Sequence, residues 1–317
     1  MSAAKKGSAE GESHSVGLDR SIDRLENMRE NKEEQRVAEE LKGQRARGWF
    51  EKLLTRVLSG IVYVLVIVGC FVGGLIPTAV LMALMGWLCC SEFYRISRMA
   101  GRRPHEIFGL TAAIVYAPFA AYFGLQVLPA VTALLVILVG IWYVFTPRAS
   151  ISDVCVTVFG PLYTSSTLAY FVLMRAQDTS INGAWLPLVV IGSIWAEDSF
   201  AYLFGSTLGK HKMAPRISPN KSWEGFLGGI LGVIVVWCTC AHFGVAGLTM
   251  PVAACCALGV GIISVMGDLF ESRIKRGVGV KDSGRIMPGH GGMLDRTDSM
   301  IFGSVVAYYI LVIGGIL

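Results

Sequence analysis

Three long stretches without a single charged residue constrain what this chain can fold into. Asp, Glu, Lys and Arg are all absent from residues 57–91, 107–147 and 225–267. A helix that crosses a membrane needs about 20 mostly apolar residues, so each stretch, with a few flanking residues, accommodates two crossings. Glycine or proline marks a break inside each stretch, near residues 73–77, 124–129 and 242–251. Each stretch therefore predicts a pair of membrane-spanning helices.

Three further apolar segments, residues 154–174, 185–208 and 299–317, each predict one more crossing, which gives nine in total. The whole chain is 53% hydrophobic and 16% charged, with a mean hydropathy of +0.57, whereas a soluble domain carries about 25% charged residues. This composition excludes a soluble enzyme, a disordered protein and a nucleic-acid-binding domain. The predicted fold is all-α: a polytopic integral membrane protein with about nine transmembrane helices.

The distribution of basic residues predicts the orientation of these spans. Of the 16 Lys and Arg residues after residue 56, all except Arg175 lie in or beside loops that follow even-numbered spans. Because cytoplasmic loops are enriched in Lys and Arg, we expect a cytoplasmic N-terminus and an external C-terminus. The start of the chain shows no basic segment followed by an apolar one, so no cleavable signal peptide is expected. These features suit a bacterial inner membrane.

The first residues differ sharply in character from the rest. Residues 1–56 contain 12 of the 28 Lys and Arg residues and 11 of the 23 Asp and Glu residues. We predict a charged cytoplasmic extension over residues 1–47, partly disordered and partly helical, and a membrane-embedded domain over residues 48–317. The eight cysteines all lie in apolar stretches without zinc-like spacing, which favours a packing role.

Polar residues return in the loop between the sixth and seventh predicted spans. This loop contains Ser218 and Ser222 together with four basic residues, one of which is Lys221. An acid inside a span is costly and usually functional, so Asp198 in span six marks this region as a candidate site. Basic side chains with hydroxyl groups at a membrane face suit a phosphate group. We therefore predict that this loop contacts a phosphate-bearing substrate.

The loop between spans eight and nine contains several acidic residues. If span eight stays helical, Asp268, Ser272 and Lys275 share one face, and Asp295 and Asp298 share a face at the start of span nine. Carboxylates that meet at a membrane face repel each other unless a cation lies between them. Oxygen ligands, with a polyphosphate completing the coordination, favour Mg²⁺.

The same loop offers groups that bind anions. Its basic residues, suited to neutralise phosphate oxygens, are Lys275, Arg276, Lys281 and Arg296. The glycine pair after His290 permits a close backbone approach and leads into a helix N-terminus, which is a good anion site. The pattern predicts a transfer reaction at a phosphate with a lipid as one substrate, catalysed by positioning and electrostatics.

This loop resembles the signature of the phosphatidate cytidylyltransferases, also called CDP-diacylglycerol synthases. The signature stands here as Ser272-Arg-Ile-Lys-Arg276, Lys281-Asp-Ser-Gly284 and Pro288-Gly-His-Gly-Gly-Met-Leu-Asp-Arg-Thr-Asp298. The earlier loop is similar to the family in Ala214-Pro-Arg-Ile-Ser-Pro219 and Lys221-Ser-Trp-Glu-Gly225. The likeness covers about residues 50–317 and leaves residues 1–45 outside it.

The resemblance implies that the cytidylyl group of CTP is transferred to phosphatidic acid, giving CDP-diacylglycerol and pyrophosphate for phospholipid biosynthesis. It also implies Mg²⁺, sometimes a second, monovalent cation, and a homodimer in the membrane. The implied metal ligands are Asp268, Asp295 and Asp298. The other residues implied in catalysis are Lys275, Arg276, Lys281, Asp282, His290 and Arg296. The residues implied in substrate binding are Asp198, Ser218, Lys221, Ser222, Ser272, Gly291 and Gly292.

Two other functions are compatible with parts of the sequence. A CTP-dependent kinase acting on a polyprenol or a similar lipid alcohol shares part of the membrane fold and the acidic loop, and would differ in its products. A transporter would use Asp198 and Asp268 to line an ion path. A pore has no need of the polar pattern over residues 272–298, which argues against the transporter.

Overall fold

A computed structural model describes residues 54–284, 286 and 291–317. This part of the chain contains nine helices that are long and apolar enough to cross a membrane, which confirms the predicted all-α polytopic fold. They are α1 (Leu54–Val72), α2 (Leu75–Met99), α3 (Glu106–Phe123), α4 (Val127–Val144), α5 (Ile151–Ala176), α6 (Ile181–Leu208), α7 (Trp223–His242), α8 (Met250–Gly277) and α9 (Leu294–Ile313). The prediction for residues 1–47 lies outside the described residues.

The three predicted breaks coincide with turns between helices. Gly74 and Gly124 have φ of 115° and 76°, a backbone conformation that glycine adopts without the steric cost of a Cβ. The third break, between α7 and α8, contains Gly244 with a φ of 66°. The uncharged stretches are therefore helical pairs, as their lengths predicted.

Glycines on α7 allow α6 to pack closely against it. Gly228 faces the Phe204 ring, and Gly229 faces the side chain of Glu197. Small residues at helix contacts in membranes let two backbones approach. This packing fixes the position of the α6 segment that carries Glu197 and Asp198.

Helix α5 is the most enclosed of these nine helices and α1 and α4 are the least enclosed. Leu65 on α1 and Val144 on α4 are examples of their exposed apolar side chains, which suit contact with lipid hydrocarbon. Residues 162–166 of α5 form a π-helical turn after Pro161. This turn places Tyr163 against Phe270 of α8, with ring centroids 5.2 Å apart.

A short antiparallel hairpin joins α6 to α7 and is the one sheet among the described residues. It consists of β1 (Lys212–Ala214) and β2 (Ser218–Ser222), with Lys212 opposite Ser222. The sequence predicts a loop between these two spans, and the structure shows that part of this loop is a hairpin. The Ser222 hydroxyl accepts a hydrogen bond from the Gly225 backbone N–H at 3.1 Å and so caps the start of α7.

Candidate active site

An ion pair joins the two polar loops. Nζ of Lys221, on β2, lies 2.6 Å from Oδ2 of Asp268, on α8. The Arg276 side chain donates to the backbone oxygen of Ile217 in the hairpin turn at 3.2 Å. The hairpin therefore lies against the end of α8, and the two polar regions form one site.

Helix α8 continues past Asp268 to Gly277, so its polar side chains share a face as the spacing predicted. The Ser272 hydroxyl donates to Oδ1 of Asp268 at 3.2 Å. One turn later, Nζ of Lys275 donates to Oδ1 of Asp295 on α9 at 2.7 Å. Lys275 is buried, so this contact links α8 to α9 inside the protein.

Sequence reasoning missed Glu271, which pairs with Lys275 from one helical turn away. Its side chain is completely buried, and a charge removed from water needs a partner. Lys275 thus lies between Glu271 and Asp295. The sequence feature that could have indicated this pair is the four-residue spacing from Glu271 to Lys275, which brings the two side chains together on a helix.

Both oxygens of Asp295 are hydrogen-bonded to the loop before α9. Oδ2 accepts from the backbone N–H groups of Ser283 at 2.9 Å and Gly292 at 2.7 Å, and Oδ1 accepts from Lys275 and Ser283. Gly291 has a φ of 87°, which explains a glycine at that position. Asp295 therefore holds together the two ends of the segment between residues 283 and 292.

Two cavities flank Asp198. One, of about 340 Å³, is lined by Asp198, Asp295, Arg296 and Asp298, with Tyr63 and Trp195 among its other walls. The second, of about 220 Å³, is lined by Glu197, Asp198, Lys221 and Ser222 on its polar side. Glu197 is buried and accepts a hydrogen bond from Ser264. Asp198 is therefore placed to contact molecules in either cavity.

The structure brings most of the predicted site residues together and leaves a few at the margin. The predicted residues that lie around the two cavities or in the connecting network are Asp198, Lys221, Ser222, Asp268, Ser272, Lys275, Gly292, Asp295, Arg296 and Asp298. Ser218 and Arg276 belong to the hairpin and its contact with α8. Lys281 and Asp282 are exposed. His290 lies outside the described residues.

The acidic residues suit Mg²⁺ through the chemistry of their donors. Within the described residues, no three His, Cys, Asp or Glu side chains form a ready-made metal cluster. Mg²⁺ is usually held by one or two carboxylates, with waters and substrate phosphates as its other ligands. Asp295 and Asp298, two of the three predicted ligands, face one cavity, and these oxygen donors fit an ion that arrives with a polyphosphate.

Gly284 and Gly292, in the loop before α9, lie close to the carboxylate of Glu92 on α2. A Cβ on Gly284 would collide with the Glu92 carboxylate and lie 2.9 Å from Cα of Gly292. We expect Gly284→Ala to displace the loop and lower enzymatic activity at least 10-fold, since overpacking costs about 1–3 kcal/mol. Gly277→Ala is the control, because nothing lies within 4 Å of its added Cβ. Equal turnover rates for the two variants would contradict the prediction.

Comparison with known proteins identifies relatives of this chain. Residues 54–313 match the model of the cytidylyltransferase family. A phosphatidate cytidylyltransferase from Synechocystis is 35% identical over 205 residues, which are 56% of this chain and 68% of that protein. One from Staphylococcus haemolyticus is 39% identical over 155 residues, 49% of this chain and 58% of that protein. One from Haemophilus influenzae is 41% identical over 155 residues, 44% of this chain and 52% of that protein.

Proposed function

The chain belongs to the cytidylyltransferase family, and we propose that it transfers the cytidylyl group of CTP to phosphatidic acid. The products are CDP-diacylglycerol and pyrophosphate. The main support for the proposal is the contact between Lys221 and Asp268. This contact joins the two loops whose residues suit phosphate binding, and a cavity lined by carboxylates and Arg296 lies beside them. Its relatives named phosphatidate cytidylyltransferase support the choice of substrates.

In this reaction an oxygen of the lipid phosphate attacks the α-phosphorus of CTP. A new P–O bond forms there, and the bond from the α-phosphorus to the oxygen that bridges it to the β-phosphate breaks. Arg296, which lines the larger cavity, stabilises negative charge that builds up on phosphate oxygens. Lys221 is the basic side chain that lines the smaller cavity, and it stabilises negative charge on phosphate oxygens in that cavity. We assign no general base to this step, because an oxygen of a phosphate dianion is already deprotonated.

We assign the Mg²⁺ of this reaction to Asp268, Asp295 and Asp298. When bound, Mg²⁺ supplies positive charge to the phosphate oxygens. As a metal ligand, Asp295 would exchange a hydrogen bond from Lys275, Ser283 or Gly292 for the ion, because both its oxygens accept hydrogen bonds from these residues. We also propose that a second, monovalent cation binds near this metal.

Transfer of the α-phosphate to lipid tests the proposed function. The full chain in detergent is given phosphatidic acid or, in a parallel reaction, a polyprenol, each with Mg²⁺ and CTP labelled at the α-phosphorus. We expect label in the lipid fraction and pyrophosphate in solution. Label that stays in water-soluble CDP while the γ-phosphate enters a lipid alcohol would instead indicate a kinase. No turnover of CTP with either lipid would contradict both.

We further propose that the site faces the cytoplasm of a bacterial cell, with the N-terminus inside and the C-terminus outside. The basic loops support this orientation. In whole cells, a membrane-impermeant maleimide should label Asn182→Cys, in the first turn of α6, and should not label Lys212→Cys, in the hairpin. The reverse pattern would overturn the orientation. A homodimer is proposed as well, and crosslinking of the full chain in native membranes tests it.

A further inference from the structure

Glu92 is a buried acid on α2 that neither polar loop contains. Its side chain is 4% exposed, although it lies near the end of a membrane-spanning helix. A buried carboxylate is tolerated when hydrogen-bond donors surround it. The identity of those donors therefore indicates what Glu92 does.

Among the described residues, three groups donate to Glu92, and they belong to the loop before α9 and to the start of that helix. Oε2 accepts from the Ser283 hydroxyl at 2.9 Å and from the Leu294 backbone N–H at 2.8 Å. Oε1 accepts from the Met293 backbone N–H at 3.1 Å. The first N–H groups of a helix have no partner within the helix, and the residue before α9 supplies no side-chain cap. Glu92 provides that cap from a different helix.

Several neighbouring contacts tie the loop to the same point. Arg95, one turn beyond Glu92, donates to the backbone oxygen of Ser283. Gly284 and Gly292 each leave room for the Glu92 carboxylate, which a Cβ at either position would strike. Ser283, Gly284 and Gly292 thus surround a carboxylate that enters from α2.

Glu92 and Asp295 both contact Ser283 and Gly292, in the loop before α9. Ser283 donates its hydroxyl hydrogen to Glu92 and its backbone N–H to Asp295. Gly292 donates its N–H to Asp295 and packs against Glu92. A shift of the loop relative to α2 would therefore move Asp295 and, with it, the wall of the larger cavity.

We propose that Glu92 is a positioning residue for the transfer reaction. It fixes Ser283, Gly284 and Gly292, together with the start of α9, to α2, so that Asp295 and Arg296 face the larger cavity. It acts through these groups and does not touch the substrate. The kinetic part of this proposal rests on the proposed function, whereas the structural part can be measured without turnover.

The test compares Glu92→Gln with Asp153→Asn. Asp153 is also a buried carboxylate at a helix N-terminus, where it forms a capping box with Ser150, but it lies outside the site. We expect Glu92→Gln to raise the KM for CTP at least 10-fold. The NH₂ group of glutamine is a donor, and it would face the N–H and O–H donors that now bind the carboxylate. Amide hydrogen exchange over residues 283–295 should become faster in the same variant. Asp153→Asn should change neither quantity, even where both variants lose thermal stability.

Ser283→Ala extends the test to a variant that keeps the carboxylate. It removes one hydrogen bond to Glu92 and should raise the KM for CTP about threefold, with faster exchange over the same residues. Unchanged KM and exchange in both variants would overturn the proposal. Equal changes in Asp153→Asn would also overturn it. If the wild-type chain does not turn over CTP, the proposed function fails, and hydrogen exchange alone still decides whether Glu92 positions the loop.

Discussion

Asp295→Asn is expected to lower transfer of label from CTP to lipid by on the order of 1,000-fold, while the protein still inserts and folds. The native carboxylate accepts hydrogen bonds from Lys275, Ser283 and Gly292. An asparagine side chain has one oxygen and one NH₂ group, so at least one of these donors would face another donor. The substitution also removes the negative charge opposite Lys275 and one of the three proposed metal ligands.

The control for this variant is Asp178→Asn. Asp178 lies in the loop between α5 and α6 and accepts a hydrogen bond from the Ser180 backbone N–H at 2.8 Å. It contributes to neither of the two cavities beside Asp198. We expect nearly normal lipid labelling for Asp178→Asn. Near-normal labelling for Asp295→Asn as well would remove Asp295 from the active site.

A titration with Mg²⁺ separates two roles for Asp295. If Asp295 is a metal ligand, Asp295→Asn should require a much higher Mg²⁺ concentration for half-maximal residual activity. If it acts only by holding Ser283 and Gly292, the Mg²⁺ requirement should stay near normal and hydrogen exchange of the loop should rise. The change in exchange is expected because Asp295 accepts hydrogen bonds from the Ser283 and Gly292 backbone N–H groups.

The membrane fold could be predicted from the sequence because a single physical requirement, the apolar length of each crossing helix, determines most of it. A crossing helix needs a long apolar stretch, and the glycines at positions 74 and 124 mark the turns between such stretches. The hairpin at Lys212–Ser222 did not follow from the sequence. Its residues show no alternation of apolar and polar side chains, and turn-forming prolines at positions 215 and 219 favour an irregular loop.

The site was predictable where its groups lie within a few residues of each other on a helix. The shared face of Asp268, Ser272 and Lys275 is an example, because the helical period alone dictates it. Glu92 could not be found in this way. Its partners, such as Ser283 and Leu294, lie about 200 residues further along the chain, and an acid near the end of a span resembles any interfacial charge.

The ion pairs of Lys275 lead to the prediction with the largest effect on stability. Removing the lysine in Lys275→Met leaves the fully buried Glu271 without its partner and removes one bond to Asp295. Breaking a buried pair by removing one member costs about 3–5 kcal/mol, because the remaining charge stays buried. We therefore expect Lys275→Met to lower both the unfolding temperature in detergent and the activity.

The double variant Glu271→Gln with Lys275→Met separates these two losses. It removes the stranded charge at position 271, so the unfolding temperature should recover much of the loss. Activity should remain low, since Asp295 still lacks the lysine that contacts its Oδ1 at 2.7 Å. Glu271→Gln alone keeps the contact between Lys275 and Asp295 and should retain most of the activity. Recovery of activity in the double variant would mean that Lys275 serves only to neutralise Glu271. Persistent inactivity in a protein of restored stability would place the function of Lys275 at Asp295.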